Sequence, residues 1–537
     1  MKLVSKQDLK NILGQIPLTA EAYWYLRQPG RPITPEFTFE QLDRSLPLWR
    51  EQVQEARDHR QNAPLSPAFQ HKGVFIFTTL RYWIEHASLL GMALSGFGHS
   101  VTMAYLPYAR WQSPIEPFNL RRQNLYAESV LSKASPYLKV VSLLSQARSR
   151  RLPAELFRAV ELVSLRDTQY TLQVEEVSPD SNLYKLRLQR NLDAAIAALA
   201  YLQRHKPDVV IIPNGTILEF GVVYQVARYL GLPVVTYEFG EQRNRIWLAQ
   251  NAEVMRQETD QLWRAHKDQK LSHEQLNQVQ KLFASRQRAI LWENFARRWQ
   301  GVPSEGGEQV RHTLNLDGRP VVLLATNVIG DSLTLGRQVF SDSMTEWLER
   351  TVQFFAAHPE VQLVARIHPG ELITKGPSVA DVVHKALATI PQHVHLVPAD
   401  AKVNTYDIVE IASLGLVYTT TVGLEMAMSA VPVIVVGNTH YRNKGFTLDP
   451  ESWEGYFELL TKVLEKPGTY RLSQSQVELA WNYAYRFFFE YPQPFPWHLL
   501  HFWKDLEAWP LPRLFGEEGI STYQKTFSYL VGEPVSW

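Results

Sequence analysis

Short runs of β-branched and aliphatic residues alternate with amphipathic stretches twice along this chain. The first series opens with GVFIFTT (73–79), a polar turn TLRYWIEH, an apolar helix HASLLGMALSGFG ending on glycine, and the run SVTMAYLPY (100–108). From Ala127 to Gln203 the pattern is mostly helical. Then come PDVVIIPNG, a helix TILEFGVVYQVARYLG stopping at Gly231, and LPVVTYEFGEQRN. The second series reads RPVVLLATN, QLVARIHPGE, VHLVP, LGLVYTTTVG, GLEMAMS and VPVIVVG, and closes on the helix SWEGYFELLTKVLEK. Strand-length apolar runs separated by helical periods predict βαβ units and parallel sheets. Nearly every run in the second series ends in polar residues: His368 and Glu371, Thr419 to Thr421, Asn438 to Lys444. Ligands of open α/β sheets bind at that edge.

The remaining segments set the domain plan. Residues 1–70 form an aromatic, proline-containing extension with a helix over Phe39–Gln61. Residues 71–300 form a first Rossmann-like domain, 310–470 a second, and 471–537 an aromatic tail. VPSEGGEQ (302–309) has no apolar periodicity and reads as the linker. The charged, helix-rich stretch 246–300 before it contains RQRAILWENFARRWQ, which reads as a connecting helix, with a membrane-surface helix as the alternative. The tail reads as packing back on the domains, with a membrane-interface belt as its alternative. The basic cluster Arg148, Arg150, Arg151 reads as a solvated helix end, the alternative being contact with an anionic lipid or polysaccharide.

Composition narrows the function classes. A chain of 537 residues suits two large domains. A formal charge of +1 exerts no global pull on nucleic acid, and none is expected as a partner. There is no cysteine, so disulfides, thiolate metal sites and cysteine nucleophiles are excluded. Neither a secretory signal nor an apolar run of membrane-spanning length is legible, which predicts a cytoplasmic protein. GxGxxG is missing, so a dinucleotide fingerprint is not supported. No metal site is expected, because no His/Glu cluster has ligand spacing; His358, His384, His393 and His395 read as surface histidines.

RIHPGE and TTTVGLEMAMSAVPVIVVGNTHYRNKG together resemble the C-terminal domain of bacterial capsule polysaccharide biosynthesis glycosyltransferases, a group that includes Kdo transferases and is similar in pattern to bacterial polysialyltransferases. The resemblance is good over about 320–450 and moderate over 205–245. It implies an α/β fold of the GT-B type, two facing Rossmann-like domains with an interdomain cleft. It implies transfer from a CMP- or UDP-sugar to a polysaccharide or glycolipid acceptor, by inversion and without metal, with peripheral contact at the inner face of the cell membrane as a further expectation.

Pro369 holds His368 extended, which places the imidazole where it can donate to a leaving-group oxygen. Thr419, Thr420 and Thr421 precede a helix start, where free N–H groups and hydroxyls suit phosphate, or where the hydroxyls cap the helix. Gly423 and Glu425 follow; by resemblance Glu425 holds a sugar or ribose hydroxyl, and otherwise it serves the helix dipole. Thr326, Asn327 and Asp331 end the first strand of the second domain, resembling the family's polar loop. Tyr441 matches the family's strand-end tyrosine, which borders the base. An inverting transferase also needs a base for the acceptor hydroxyl. Glu238 ends a first-domain strand and stands in Glu238-Phe239-Gly240, a departure from the acidic-acidic-Gly motif of polysialyltransferases. Glu241 and Glu219 compete for the role, and Asn214 lies at the neighbouring strand end. A non-hydrolysing UDP-sugar 2-epimerase and a non-catalytic polysaccharide-assembly protein are the alternative functions.

Overall fold

The computed structural model describes residues 6–61, 70–146, 151–292, 301–466 and 470–537. Twelve strands are formed: β1 (Gly73–Thr79), β2 (Ser100–Leu106), β3 (Leu138–Ser142), β4 (Val209–Pro213), β5 (Val234–Glu238), β6 (Arg245–Gln250), β7 (Val321–Ala325), β8 (Gln362–Arg366), β9 (Val394–Val397), β10 (Ala412–Val417), β11 (Val433–Val435) and β12 (Gln493–Pro494). The chain divides into two compact units, one of residues 1–168, 178–255 and 493–536, the other of 169–177 and 256–492 with Trp537.

The sheet of the first unit runs β12-β6-β5-β4-β1-β2-β3, parallel from β5 to β3, with β6 and β12 antiparallel at one edge. The sheet of the second unit runs β11-β10-β7-β8-β9 and is parallel throughout. Within each unit the five parallel strands therefore have the Rossmann order 3-2-1-4-5. Strand order reverses between β1 and β4 in one unit and between β7 and β10 in the other, and ligands of such sheets bind outside the strand ends at that reversal. The α/β class expected from the alternation of apolar runs is thus the class observed. The central strands are buried on both faces, β4, β7 and β8 at every position, as helix-covered parallel sheets require.

Several boundaries differ from expectation. TLRYWIEH is not a polar turn. Leu80 takes a left-handed φ of 65°, and the helix Arg81–Gly96 begins at once, with Trp83, Glu85 and His86 buried in its first turns. LKVVS interrupts the stretch expected to be helical; as a half-exposed edge strand, β3 carries little apolar signal. RIWLAQ, read as the start of a helical connector, pairs antiparallel with β5.

The division between units falls after Met255, not at 302–309. The helix His273–Gln287 belongs to the second unit, where Arg286 pairs with Glu425 and the Gln287 carbonyl accepts from Asn404. The expected linker is held there too: Asp407 accepts from Ser304 and Glu305, and Glu410 from the Gly307 N–H. Segment 169–177 joins that unit because the Glu175 carboxylate accepts from Met344 and Thr345 N–H at the start of the helix Met344–Ala356.

The aromatic rings at the start of the tail are buried, which speaks against the alternative of a membrane-interface belt for them. Phe487, Phe488, Phe489 and Tyr491 lie inside the second unit, while Phe495, Trp497 and Phe502 join the core of the first. His393 is also buried, its Nε2 within 2.9 Å of the Phe355 carbonyl. Arg151 is exposed, whereas Arg148, Arg150 and 293–300 lie outside the described residues. No helix among the described residues is long and apolar enough to cross a membrane.

Candidate functional site

In the second unit the ends of β7, β8 and β10 are tied into one frame. Thr326 follows β7 and bridges to β8, its hydroxyl donating to the Arg366 carbonyl and accepting the His368 N–H, each at 3.2 Å. Asn327 Oδ1 accepts the Thr419 N–H at 3.2 Å, linking the ends of β7 and β10 across the reversal of strand order. His368 is exposed beside this frame. Its Nδ1 accepts the Gly370 N–H at 2.9 Å, so in the neutral ring the proton resides on Nε2. A Cβ on Gly370 would meet Nδ1 at 2.7 Å, so glycine permits the contact. Pro369 opens the 3₁₀ turn Pro369–Ile373, which holds the imidazole at the strand edge. Glu371 is turned aside, accepting from the Ser378 hydroxyl and the Val379 N–H at the next helix start.

The threonine turn differs from expectation in its hydroxyls. Thr421 precedes the seven-residue helix Val422–Met428 in helical conformation and makes no side-chain cap. The Thr419 hydroxyl is buried without a hydrogen-bond partner among the described residues. Thr420 is buried and its carbonyl accepts the Tyr441 hydroxyl at 2.5 Å.

Tyr441 is wholly buried and cannot border a base. Burial pushes its phenol well above the ordinary range, so it stays a donor and locks the turn. Gly423 makes room for it, since a Cβ there would come within 2.4 Å of the phenol oxygen. Glu425 is 1% exposed and points inward, paired with Arg286 at 2.7 Å and accepting from Tyr406 at 2.9 Å. Burial raises its carboxyl, and Arg286 and then Tyr406 oppose the rise. Its expected contact with a sugar or ribose is therefore overturned: Arg286, a hundred and more residues upstream, supplies a counter-charge that local spacing does not reveal. Asp331 is half-buried, accepting from the Ser332 hydroxyl.

In the first unit, Glu238 stands half-buried at the end of β5. Asn214, left-handed at φ 57°, follows β4 and donates to Glu238 Oε2 at 3.0 Å; Phe239 N–H donates to Oε1 at 3.0 Å. Asn214 Oδ1 accepts the Thr216 and Ile217 N–H groups, so the pair shapes the turn after β4. Gly215 in that turn has φ 80°, and a Cβ there would meet Thr236 Cγ2 at 2.5 Å. Burial raises the Glu238 carboxyl, and the bonds from Asn214 and Phe239 hold the rise back. Tyr82, after β1, lies close enough that the Glu238 charge adds to the effect of burial in raising its phenol.

Glu219 does not reach this edge. It is 1% exposed and pairs with Arg187, which is fully buried and also holds Asp167. Replacing Arg187 by methionine strands two buried carboxylates, and we expect a loss of roughly 3–5 kcal/mol, measured by denaturant unfolding. Glu241 is half-buried in the β5–β6 connection.

A further carboxylate escaped the sequence reading because TLRYWIEH was taken as a turn. Glu85, 3% exposed, lies in the helix that follows β1, 3.4 Å from Arg81. Burial pushes its carboxyl up to about 7, against the pull of Arg81 and Trp503. An unfolded glutamate titrates near 4.3. Between that value and about 7 the folded chain retains a proton that the unfolded chain has lost. The Glu85 contribution to stability therefore falls as pH rises through this window and is flat above it. Glu85→Gln is expected to remove that slope and to melt higher than the parent at pH 8; an unchanged pH profile of melting temperature refutes the assignment.

Among the described residues no group of three or more His, Asp or Glu side chains could hold a metal ion. No protein-family model matches this chain, and no curated protein matches it. Solved structures do. The β-Kdo 2,4-transferase KpsC of Thermosulfurimonas dismutans is 15% identical over 54% of this chain and 82% of its own, with a TM-score of 0.31. UDP-GlcNAc 2-epimerase of Neisseria meningitidis bound to UDP-GlcNAc is 13% identical over 78% and 98%, with a TM-score of 0.25. The S. aureus MnaA–UDP structure is 12% identical over 77% and 94%, with a TM-score of 0.29. The structures to which this chain is similar thus include Kdo transferases as well as nucleotide-sugar epimerases.

Proposed function

We propose that this chain is a GT-B-type glycosyltransferase that moves a sugar from a CMP- or UDP-activated donor to a polysaccharide or glycolipid acceptor, with inversion and without a metal. The observation that carries the reading is the frame at the strand-order reversal of the second unit, where Asn327 ties Thr419 to the end of β7 and His368 stands exposed beside it. The motifs RIHPGE and TTTVG that resemble capsule glycosyltransferases supply His368 and Thr419.

In this reading the second unit binds the donor, with Thr326, Asn327 and Thr419 to Thr421 around its phosphates. The acceptor oxygen forms a bond to the anomeric carbon as the bond to the nucleotide phosphate breaks. His368 Nε2–H donates to the phosphate oxygen on which charge develops. Glu238 removes the proton of the acceptor hydroxyl. Glu238 is preferred to Glu219 because Glu219 is committed to Arg187. Glu241 remains the competitor, and Glu241→Gln is expected to slow transfer less than Glu238→Gln.

The test is incubation of the purified protein with CMP- and UDP-sugars, with and without glycan acceptors, following nucleotide release and the sugar product. Acceptor-dependent release supports transfer. Epimerised nucleotide sugar without acceptor, or no turnover with any donor, defeats it.

A further inference from the structure

A third of the exposed large hydrophobic residues fall in one short stretch. Among the described residues, six of the 18 exposed large hydrophobics fall between positions 12 and 26: Ile12, Ile16, Leu18, Tyr23, Tyr25 and Leu26. Ile12 lies in the helix α1 (Lys6–Gln15), Tyr23, Tyr25 and Leu26 lie in α2 (Thr19–Arg27), and Ile16 and Leu18 lie in the tight connection between them. The inner side of this hairpin is anchored. Trp24 and Ala20 are buried, and Arg121 pairs with Glu21 and donates to the Gly14 and Ile16 carbonyls. Gly14 lets α1 approach the helix Pro117–Leu131, since a Cβ would meet Phe118 N at 2.6 Å.

The outer side has the wrong polarity for water. The exposed positions of α2 are Ala22, Tyr23, Tyr25, Leu26 and Arg27; Tyr23 packs against Phe118 with Arg122 over its ring, while Ala22, Tyr25 and Leu26 lie opposite Ala20 and Trp24. A helix apolar on both sides is expected to be covered on both. Leu18 is 72% exposed in the connection and left-handed at φ 63°, an uncommon conformation for leucine. Leu26 is 80% exposed. Basic residues flank the stretch in sequence: Arg27 ends α2 and Arg31 follows it, both exposed, Lys10 in α1 is half-buried, and the acid Glu21 is neutralised by Arg121. Exposed apolar and aromatic residues accompanied by unneutralised arginines in the same stretch complement an anionic bilayer, where tyrosines sit at headgroup depth and arginines meet phosphate.

We propose that the α1–α2 hairpin docks the protein on anionic membrane, with Leu18, Tyr25 and Leu26 entering the acyl boundary and Arg27 and Arg31 against lipid phosphates. This surface is independent of the nucleotide-sugar reading.

The experiment is flotation of the full chain with phosphatidylcholine vesicles, with or without phosphatidylglycerol, alongside sedimentation of the protein alone. The parent protein is expected to float with phosphatidylglycerol vesicles and much less with phosphatidylcholine alone. The triple variant Leu18→Ser/Tyr25→Ser/Leu26→Ser is expected to lose more than about tenfold in partitioning. Arg27→Gln or Arg31→Gln is expected to lose about fivefold each, less at high salt. All three positions of the triple variant are exposed, and an unchanged melting temperature verifies its fold. A parent that does not float, or a folded triple variant that floats like the parent, overturns the proposal. So does a parent that self-associates through this face without binding vesicles, the triple variant being monomeric. Nucleotide binding, followed by calorimetry, is expected to be equal in all variants, so failure here leaves the proposed transferase reaction standing.

Discussion

Glu238→Gln is expected to lower transfer to acceptor by about 10²–10⁴-fold while leaving donor affinity unchanged. Glutamine keeps the size of the side chain and can still accept from Asn214 or Phe239, so the turn after β4 retains much of its support. What it loses is the ability to take a proton. Donor affinity is unaffected because the groups assigned to the donor, Thr326, Asn327, His368 and the threonine turn, belong to the second unit. The raised carboxyl makes a second, independent mark. Burial holds Glu238 protonated to higher pH than an ordinary glutamate, and a base works only when deprotonated. The acid limb of kcat/KM is therefore expected above the usual glutamate range, with activity rising as pH rises through it. If Glu238 only supports the Asn214 turn, the mutant melts lower and turns over normally per folded molecule. Measuring melting temperature, calorimetric donor affinity and the pH profile separates the two roles.

His368→Ala is expected to lower turnover by about 10²–10³-fold with little effect on stability. The imidazole is exposed, so its removal leaves no cavity in the core. The lost groups are the Nε2 donor and the Nδ1 acceptor of the Gly370 N–H. A donor aimed at a developing anion contributes about 2.7–4 kcal/mol, whereas an exposed N–H that loses its partner is rehydrated by water. His368→Gln, which restores a donor on a flexible chain, is expected to recover part of the rate. A folded alanine mutant turning over at the parental rate assigns the histidine to the turn alone.

The outer parts of this molecule show where linear reading stops. The aromatic tail carries the strongest sequence hint of a membrane surface, yet its rings fill the interiors of both units. The exposed apolar hairpin lies instead in the extension, whose role the sequence did not disclose. Apolar content measures the gain on burial and does not say what will do the burying. Leu18 and Phe495 look alike in sequence; one is 72% exposed and the other 1%.

By itself, the sequence determined the elements whose information is local: β1, β2, β4, β5 and the five strands of the second unit. Dense apolar runs bounded by turns and glycines settle those. It also placed His368, Thr326 and Asn327 at strand ends, because polar residues directly after such runs have nowhere else to go. Tertiary structure alone decided the rest. β3 is a half-exposed edge strand and β6 a half-exposed strand covered on its outer side only by the two-residue β12, and both are stabilised by pairing more than by their own apolar content. Glu219, Glu425 and Tyr441 sit where a ligand-facing residue is expected, and they turn inward because Arg187, Arg286 and the Thr420 carbonyl meet them there. A buried charge requires a partner, and that partner comes from a distant part of the chain, so only the fold determines which carboxylates remain at the edge to do chemistry.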